Sequence, residues 1–229
     1  MIELENVTKR YFLTRALKGI SLQVDQGRVV GVLGENGSGK STLFKILAGV
    51  ARPTSGQVRV LGRPVGLETR RFTSYLPEIN PFYGWMKVGE QLEFLSRFYP
   101  GWDTGKAAAL LGLMGLSADA IIGELSRGQQ ARLKVVSAFA WPSRLVLMDE
   151  PLGNIDPPSR RRIVRALFEE YRAGEQTVLI CTHLIDEVEE VVEEVVFLRH
   201  GEIALQGNAD QLRQDKGKSL LDILEEVTI

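Results

Sequence analysis

Eight residues constrain this chain more than any others: Gly34-Glu35-Asn36-Gly37-Ser38-Gly39-Lys40-Ser41, which fit the pattern G-x-x-x-x-G-K-S. An apolar run at 29–33 leads into them and a helical run at 40–48 leads out. Strand, glycine-rich turn and helix, in that order, give the pattern its physical meaning. The glycines let the backbone curl until successive N–H groups point at one anion, and the helix N-terminus adds partial positive charge. A nucleotide polyphosphate fits such a cradle. Lys40 would reach the β- and γ-phosphates, and Ser41 would place its hydroxyl on Mg²⁺. Gly34, Asn36, Gly37, Ser38, Gly39, Lys40, Ser41 and Thr42 are the expected nucleotide-binding set.

The rest of the chain reads as the fold this loop needs. Short Val/Ile/Leu-rich runs at 2–7, 20–24, 28–33, 57–61, 73–76, 145–148, 177–181, 195–199 and 202–205 are bounded by turn residues and predict strands. Helical patterns fall between several of them, at 40–48, 126–140 and 159–171, and alternation of this kind predicts a mainly parallel sheet covered by helices. Residues 78–141 differ: they carry helical patterns, including a stripe of Val88, Leu92, Leu95 and Phe98, and no convincing strand. The expected organisation is one domain over 1–229. Residues 1–77 and 142–207 form an α/β core, 78–141 an inserted helical lobe, and 208–229 a tail of two short helices.

A second feature completes the chemistry. Leu145-Val146-Leu147-Met148-Asp149-Glu150 is an apolar strand ending in two acids, and ligands in open α/β sheets bind at the C-terminal ends of the strands. Asp149 is expected to hold the metal, directly or through water, and Glu150 to take the proton from an attacking water.

Leu125-Ser126-Arg127-Gly128-Gln129-Gln130 resembles the L-S-G-G-Q signature of ABC ATPases, placed just before a helix and upstream of the acidic strand. Asn154-Ile155-Asp156 resembles that family's D-loop, Thr182-His183 its switch histidine, and Tyr11 the aromatic that stacks on adenine, with Phe12 as the competing ring. The resemblance covers essentially the whole chain. It implies an α/β P-loop fold with an N-terminal antiparallel β part, and an ATPase that uses ATP and Mg²⁺. It also implies two composite sites in a head-to-tail pair of subunits, a homodimer or a heterodimer. One subunit would supply the loop, Asp149, Glu150 and His183; the other would supply Ser126, Arg127, Gly128 and Gln129 in trans. The further implied partner is a polytopic membrane permease, which places the chain at the cytoplasmic face of the membrane.

Two positions depart from that pattern. The family commonly has Gln after the strand at 73–76, ligating Mg²⁺; here Pro77-Glu78 puts a carboxylate there. Arg127 replaces the first signature glycine and would bring a guanidinium near the partner's nucleotide. The Leu76-Pro77-Glu78 form, Tyr99-Pro100-Gly101-Trp102-Asp103 and the tail Lys218-Ser219-Leu220-Leu221-Asp222 are similar to ATPase subunits of bacterial ABC-2-type exporters. The stretch 79–86, with Phe82, Tyr83, Trp85 and Met86, is either a docking surface for the permease or packing inside the helical lobe.

Composition narrows the alternatives. The net charge of −1 provides no chain-wide attraction to nucleic acid. The runs Arg160-Arg161-Arg162 and Glu187 to Glu194 read as solvated helix faces. No stretch approaches the roughly 20 apolar residues that span a bilayer, and Met1-Ile2-Glu3-Leu4-Glu5 is expected to start a strand rather than to be an export leader. The single cysteine, Cys181, fits a reducing compartment. Of the two histidines, His200 sits in a polar turn. The rival class is a non-transport ABC ATPase of translation or repair. The former would carry two ATPase halves, and the latter a long coiled coil where only about 85 residues separate Ser41 from Ser126.

Overall fold

The computed structural model describes residues 1–153, 155–171 and 174–228, with the side chains of 166–170 and 228 aside. Among the described residues ten strands form two sheets. The smaller is antiparallel, in the order β2-β1-β4-β5, from β1 (Ile2–Tyr11), β2 (Thr14–Val24), β4 (Ser55–Val60) and β5 (Arg63–Pro64). The larger runs β10-β9-β3-β8-β7-β6, from β3 (Val29–Leu33), β6 (Thr73–Leu76), β7 (Leu145–Asp149), β8 (Thr177–Thr182), β9 (Glu194–Arg199) and β10 (Glu202–Asn208). Five of its strands are parallel and β10 pairs antiparallel with β9.

The parallel strands are buried on both faces, which is why they read as unbroken apolar runs rather than as alternating ones. Successive side chains still go to opposite sides. Val30, Val32, Leu145, Leu147, Leu179 and Cys181 pack with α1 (Lys40–Leu47) and the inner face of the small sheet, around Phe44, Leu43, Ile2 and Leu17. Val29, Leu33, Val146, Met148, Val178 and Ile180 pack on the other side, against the helices of the middle segment and the tail.

The short α2 (Leu67–Arg70) precedes β6, and residues 78–141 hold α3 (Val88–Ser96), α4 (Thr104–Met114) and α5 (Arg127–Phe139), with only an isolated bridge between Lys87 and Ile121. α5 begins at a capping box. The Ser126 hydroxyl accepts from the Gln129 N–H at 3.2 Å, and Gln129 Oε1 accepts from the Ser126 N–H at 2.8 Å. After β7 come α6 (Pro157–Glu170) and, beyond β10, α7 (Ala209–Lys216) and α8 (Leu220–Thr228). Among the described residues no helix is long and apolar enough to cross a membrane.

Two expectations change in detail. The first two strands are longer than 2–7 and 20–24, and meet in a hairpin whose tip is Phe12-Leu13, with Phe12 98% exposed. Cross-strand pairing of polar residues extends them, a signal that apolar patterning does not carry. The stripe at 88–98 is cut short: Val88 and Leu92 are buried, but the helix ends at Ser96 and Phe98 is 65% exposed.

Candidate functional site

The turn between β3 and α1 is pressed from behind by two other backbones. Gly34 has φ 154°, and a Cβ there would lie 2.3 Å from the carbonyl of Leu198; Gly39 has φ 109°, and its Cβ would lie 2.6 Å from the carbonyl of Ala16. No larger residue fits either place. In front of the turn opens a cleft of about 1060 Å³ lined by Asn36, Gly37, Gly39, Lys40, Ser41 and Thr42. Gly34 and Ser38 do not line it. Ser38 faces a small recess beside Leu198 and His200, and its buried hydroxyl has no hydrogen-bond partner among the described residues. Lys40 is buried and folds back on the turn, donating to the carbonyls of Gly34 at 2.7 Å and Glu35 at 3.0 Å. Those contacts hold the ammonium at the floor of the cleft.

β7 delivers the acids. Asp149 is 2% exposed and accepts hydrogen bonds from Ser41 Oγ at 2.8 Å, Cys181 Sγ at 2.9 Å and Tyr75 Oη at 3.2 Å. Burial and the Asp149 carboxylate push the Tyr75 phenol and the Cys181 thiol well above their ordinary ranges, so both stay protonated donors. Glu150 stands at the left-handed φ of 49°, unusual for a side chain of its size, and its N–H donates to the Cys181 carbonyl. That turn aims its carboxylate across the cleft floor. Oε2 lies 3.0 Å from His183 Nδ1, at the end of β8. Oε1 is buried without a hydrogen bond among the described residues, 3.7 Å from Lys40 Nζ. A buried acceptor with no donor is costly unless something arrives to satisfy it.

The signature residues are arranged differently. Arg127 and Gln130 line this chain's own cleft, while Ser126, Gly128 and Gln129 do not. Arg127, expected from sequence at a partner's nucleotide, thus also borders the cleft of its own subunit, because the first turn of α5 faces it. Gly128 packs on Asp156 and Ser159: a Cβ there would lie 2.8 Å from Asp156 Oδ1. Asp156 caps α6, accepting from the Ser159 N–H and hydroxyl, and those bonds hold its carboxyl below the usual range. Asn154 lies outside the described residues.

Three further positions matter. Tyr11 does not line the cleft; the Lys9 ammonium sits 4.7 Å over its ring, and its neighbours Thr14, Arg15 and Ala16 form the cleft edge instead. Glu78 does line it. So does Lys134, which sequence reasoning passes over as one lysine of an amphipathic helix. It is 7% exposed and donates to the carbonyls of Pro77 at 2.7 Å and Glu78 at 3.0 Å. Burial lowers its pKa, while Asp149 and Glu78 oppose that shift.

The donor set can be tested against Mg²⁺. Ser41 lines the cleft, and its Oγ lies 2.8 Å from Oδ1 of Asp149, which is buried and does not line it: two hard oxygens from different elements. No group of three or more His, Cys, Asp or Glu among the described residues could hold a metal by itself. One hydroxyl and one carboxylate, with the remaining positions left to water and phosphate, suit Mg²⁺, which resists full dehydration and is bound together with a substrate phosphate. The residues present fit it.

A phosphate-binding turn, buried acids at the strand ends and a histidine facing one of them define a P-loop nucleotide hydrolase. The family described as ABC transporter matches residues 17–153. The "Uncharacterized ABC transporter ATP-binding protein YxlF" of Bacillus subtilis (strain 168) is 33% identical over 94% of this chain and 74% of its own length. A solved "ATP binding subunit of ABC transporter" superposes with a TM-score of 0.87 at 26% identity, covering 99% of both chains. The dimeric ATP-binding cassette MJ0796, in a post-hydrolysis state with ADP and Pi, superposes at 0.82 with 26% identity, covering 91% of this chain and 99% of that one. The chain belongs to the ABC transporter family, as an ATP-binding ATPase subunit.

Proposed function

We propose that this subunit hydrolyses Mg-ATP at a composite site shared with a second ATP-binding subunit and drives an exporter through a polytopic membrane permease. The observation that carries the catalytic part is the unsatisfied Oε1 of Glu150, buried beside Lys40 and braced on its other oxygen by His183. A water in the cleft would donate to that oxygen and pass it a proton as it attacks in line. Lys40 would leave its loop carbonyls for the β- and γ-phosphates, and His183 would keep the carboxylate aimed. Ser41 and Asp149, with Glu78 at the cleft edge, are the residues that would hold Mg²⁺. The metal, when bound, neutralises phosphate charge. Asn36, Gly37, Gly39 and Thr42 complete the cradle, with Gly34 and Ser38 behind it.

Ser126, Gly128 and Gln129 stand away from this chain's cleft, which supports their reading as the half-site offered to the opposite subunit. Arg127 would serve both. A symmetric head-to-tail pair makes two such sites. For the adenine, Phe12, fully exposed on the hairpin above the cleft edge, is a better candidate than the capped Tyr11. The exposed rings of Tyr83 and Trp85, together with Ile79, form the surface we assign to the permease, while Phe82 and Met86 pack inward. The resulting position is peripheral, at the cytoplasmic face of the membrane.

Relatives of similar identity do not share a direction. A "Nod factor export ATP-binding protein I" of Rhizobium sp. (strain N33) is 30% identical, and a "Glycine betaine uptake system ATP-binding protein YehX" of Escherichia coli (strain K12) 31%. Export rests on the resemblance of the 76–78, 99–103 and 218–222 segments. The test is to purify the chain with its membrane partner, reconstitute it, and measure ATP affinity, hydrolysis and the direction of cargo movement. Lys40→Ala should lose nucleotide affinity. Unchanged affinity would overturn the assignment of the cleft, and ATP-driven uptake would overturn export.

A further inference from the structure

Lys134 is a buried, charged cleft residue that neither the phosphate turn, the acids nor the signature motif explains. It sits on α5 two turns beyond the capping box, and its ammonium bridges to the segment that follows β6 through the carbonyls of Pro77 and Glu78. Those bonds use two of its three protons. The third has no partner among the hydrogen bonds of the described residues, although the group is 7% exposed and borders the cleft. An ammonium taken this far out of water and given only neutral acceptors carries a desolvation cost that a nearby negative charge offsets. Three negative charges are at hand. Asp149 acts on it from β7 but is already held by Ser41, Tyr75 and Cys181; the other two are the Glu78 carboxylate, on the residue whose backbone Lys134 already holds, and the phosphate of a bound nucleotide.

We propose that Lys134 is a positioning residue matched to Glu78: it anchors the 77–78 segment to α5 and supplies the positive charge that lets a carboxylate stand beside a triphosphate. Without it, Glu78 would repel the nucleotide wherever no metal intervenes. With it, the pair adds no net charge to the cleft. The same side chain ties the helix that bears the signature to the residue bordering the nucleotide, so a shift of one drags the other. The inference rests on the cleft being the nucleotide site.

The test uses the full chain in four forms: wild type, Glu78→Gln, Lys134→Met and the double variant. ATP affinity is measured with Mg²⁺ and with EDTA, and folding is checked by thermal unfolding. Lys134→Met should weaken metal-free ATP binding about tenfold, and adding Glu78→Gln should restore most of that loss, the non-additivity expected of two groups in contact. Lys134→Arg, which keeps the charge, should bind close to wild type. Lys134→Gln, which keeps amide donors for the two carbonyls but no charge, should behave like Lys134→Met. Equal losses in both Glu78 backgrounds, or wild-type binding by Lys134→Gln, would overturn the charge pairing. Should Lys134→Met fail to fold, the Arg and Gln variants decide alone. Failure of the wild-type chain to bind ATP at all would instead overturn the reading of the cleft.

Discussion

The imidazole Nδ1 of His183 lies 3.0 Å from one oxygen of Glu150, while the other oxygen of the same carboxylate is buried with no hydrogen bond among the described residues. One side of the group is held and the other is available, which is what a general base needs. Glu150→Gln should therefore abolish turnover, by a factor on the order of 10²–10⁴, and leave ATP binding intact. The variant should also form an ATP-dependent dimer that persists on a sizing column. Hydrolysis near the wild-type rate would remove Glu150 from its role.

If Ser126, Gly128 and Gln129 act on the opposite subunit, lesions there and in the phosphate turn should complement. Mixing Ser126→Arg chains with Lys40→Ala chains puts both lesions in one composite site and none in the other. Activity above that of either variant alone is the expected outcome, read as ATPase rate against mixing ratio. Absence of recovery in demonstrated mixed dimers argues for a site within one chain or for obligatory coupling of two.

Gly39→Ala tests the back wall of the turn. Its left-handed φ and the Ala16 carbonyl 2.6 Å from a new Cβ leave no relaxed conformation. A loss of about 1–3 kcal/mol in urea unfolding is expected, with loss of ATP binding. A stable variant with normal affinity would mean that the two backbones part easily.

Cys181 supplies a pH test. Burial, then the Asp149 carboxylate, raises its pKa in the folded protein, so the unfolded chain releases that proton first. Stability should fall as pH rises past the ordinary thiol pKa of about 8.5, at up to about 1.4 kcal/mol per pH unit. Urea unfolding at pH 7, 8.5 and 9.5 should show a steeper decline for the wild type than for Cys181→Ala. Parallel declines would show that the thiol does not differ between the two states.

The phosphate turn, the acidic strand end and the parallel strands were legible because each is a local pattern: buried strands are apolar throughout, and a glycine at an enforced φ has no substitute. Lys134 was not legible, because its burial is decided by carbonyls 57 and 56 residues away. Nor was the placement of Tyr11. That depends on how far a hairpin of polar residues extends, and cross-strand pairing settles it. Arg127 reads in sequence as a missing glycine; only the orientation of the first turn of α5 shows that it also faces its own cleft.

The phosphate turn is backed by the carbonyls of Leu198 and Ala16, and Gly201 donates to the Ser38 carbonyl at 2.9 Å. Its ordering is completed when the chain folds, so a nucleotide meets a mould rather than a flexible strand and loses little entropy to shaping it. Such a mould has no give of its own. Any mechanical stroke in this subunit must then come from what moves toward the turn, the helices of residues 78–141 and the segment that Lys134 holds to them.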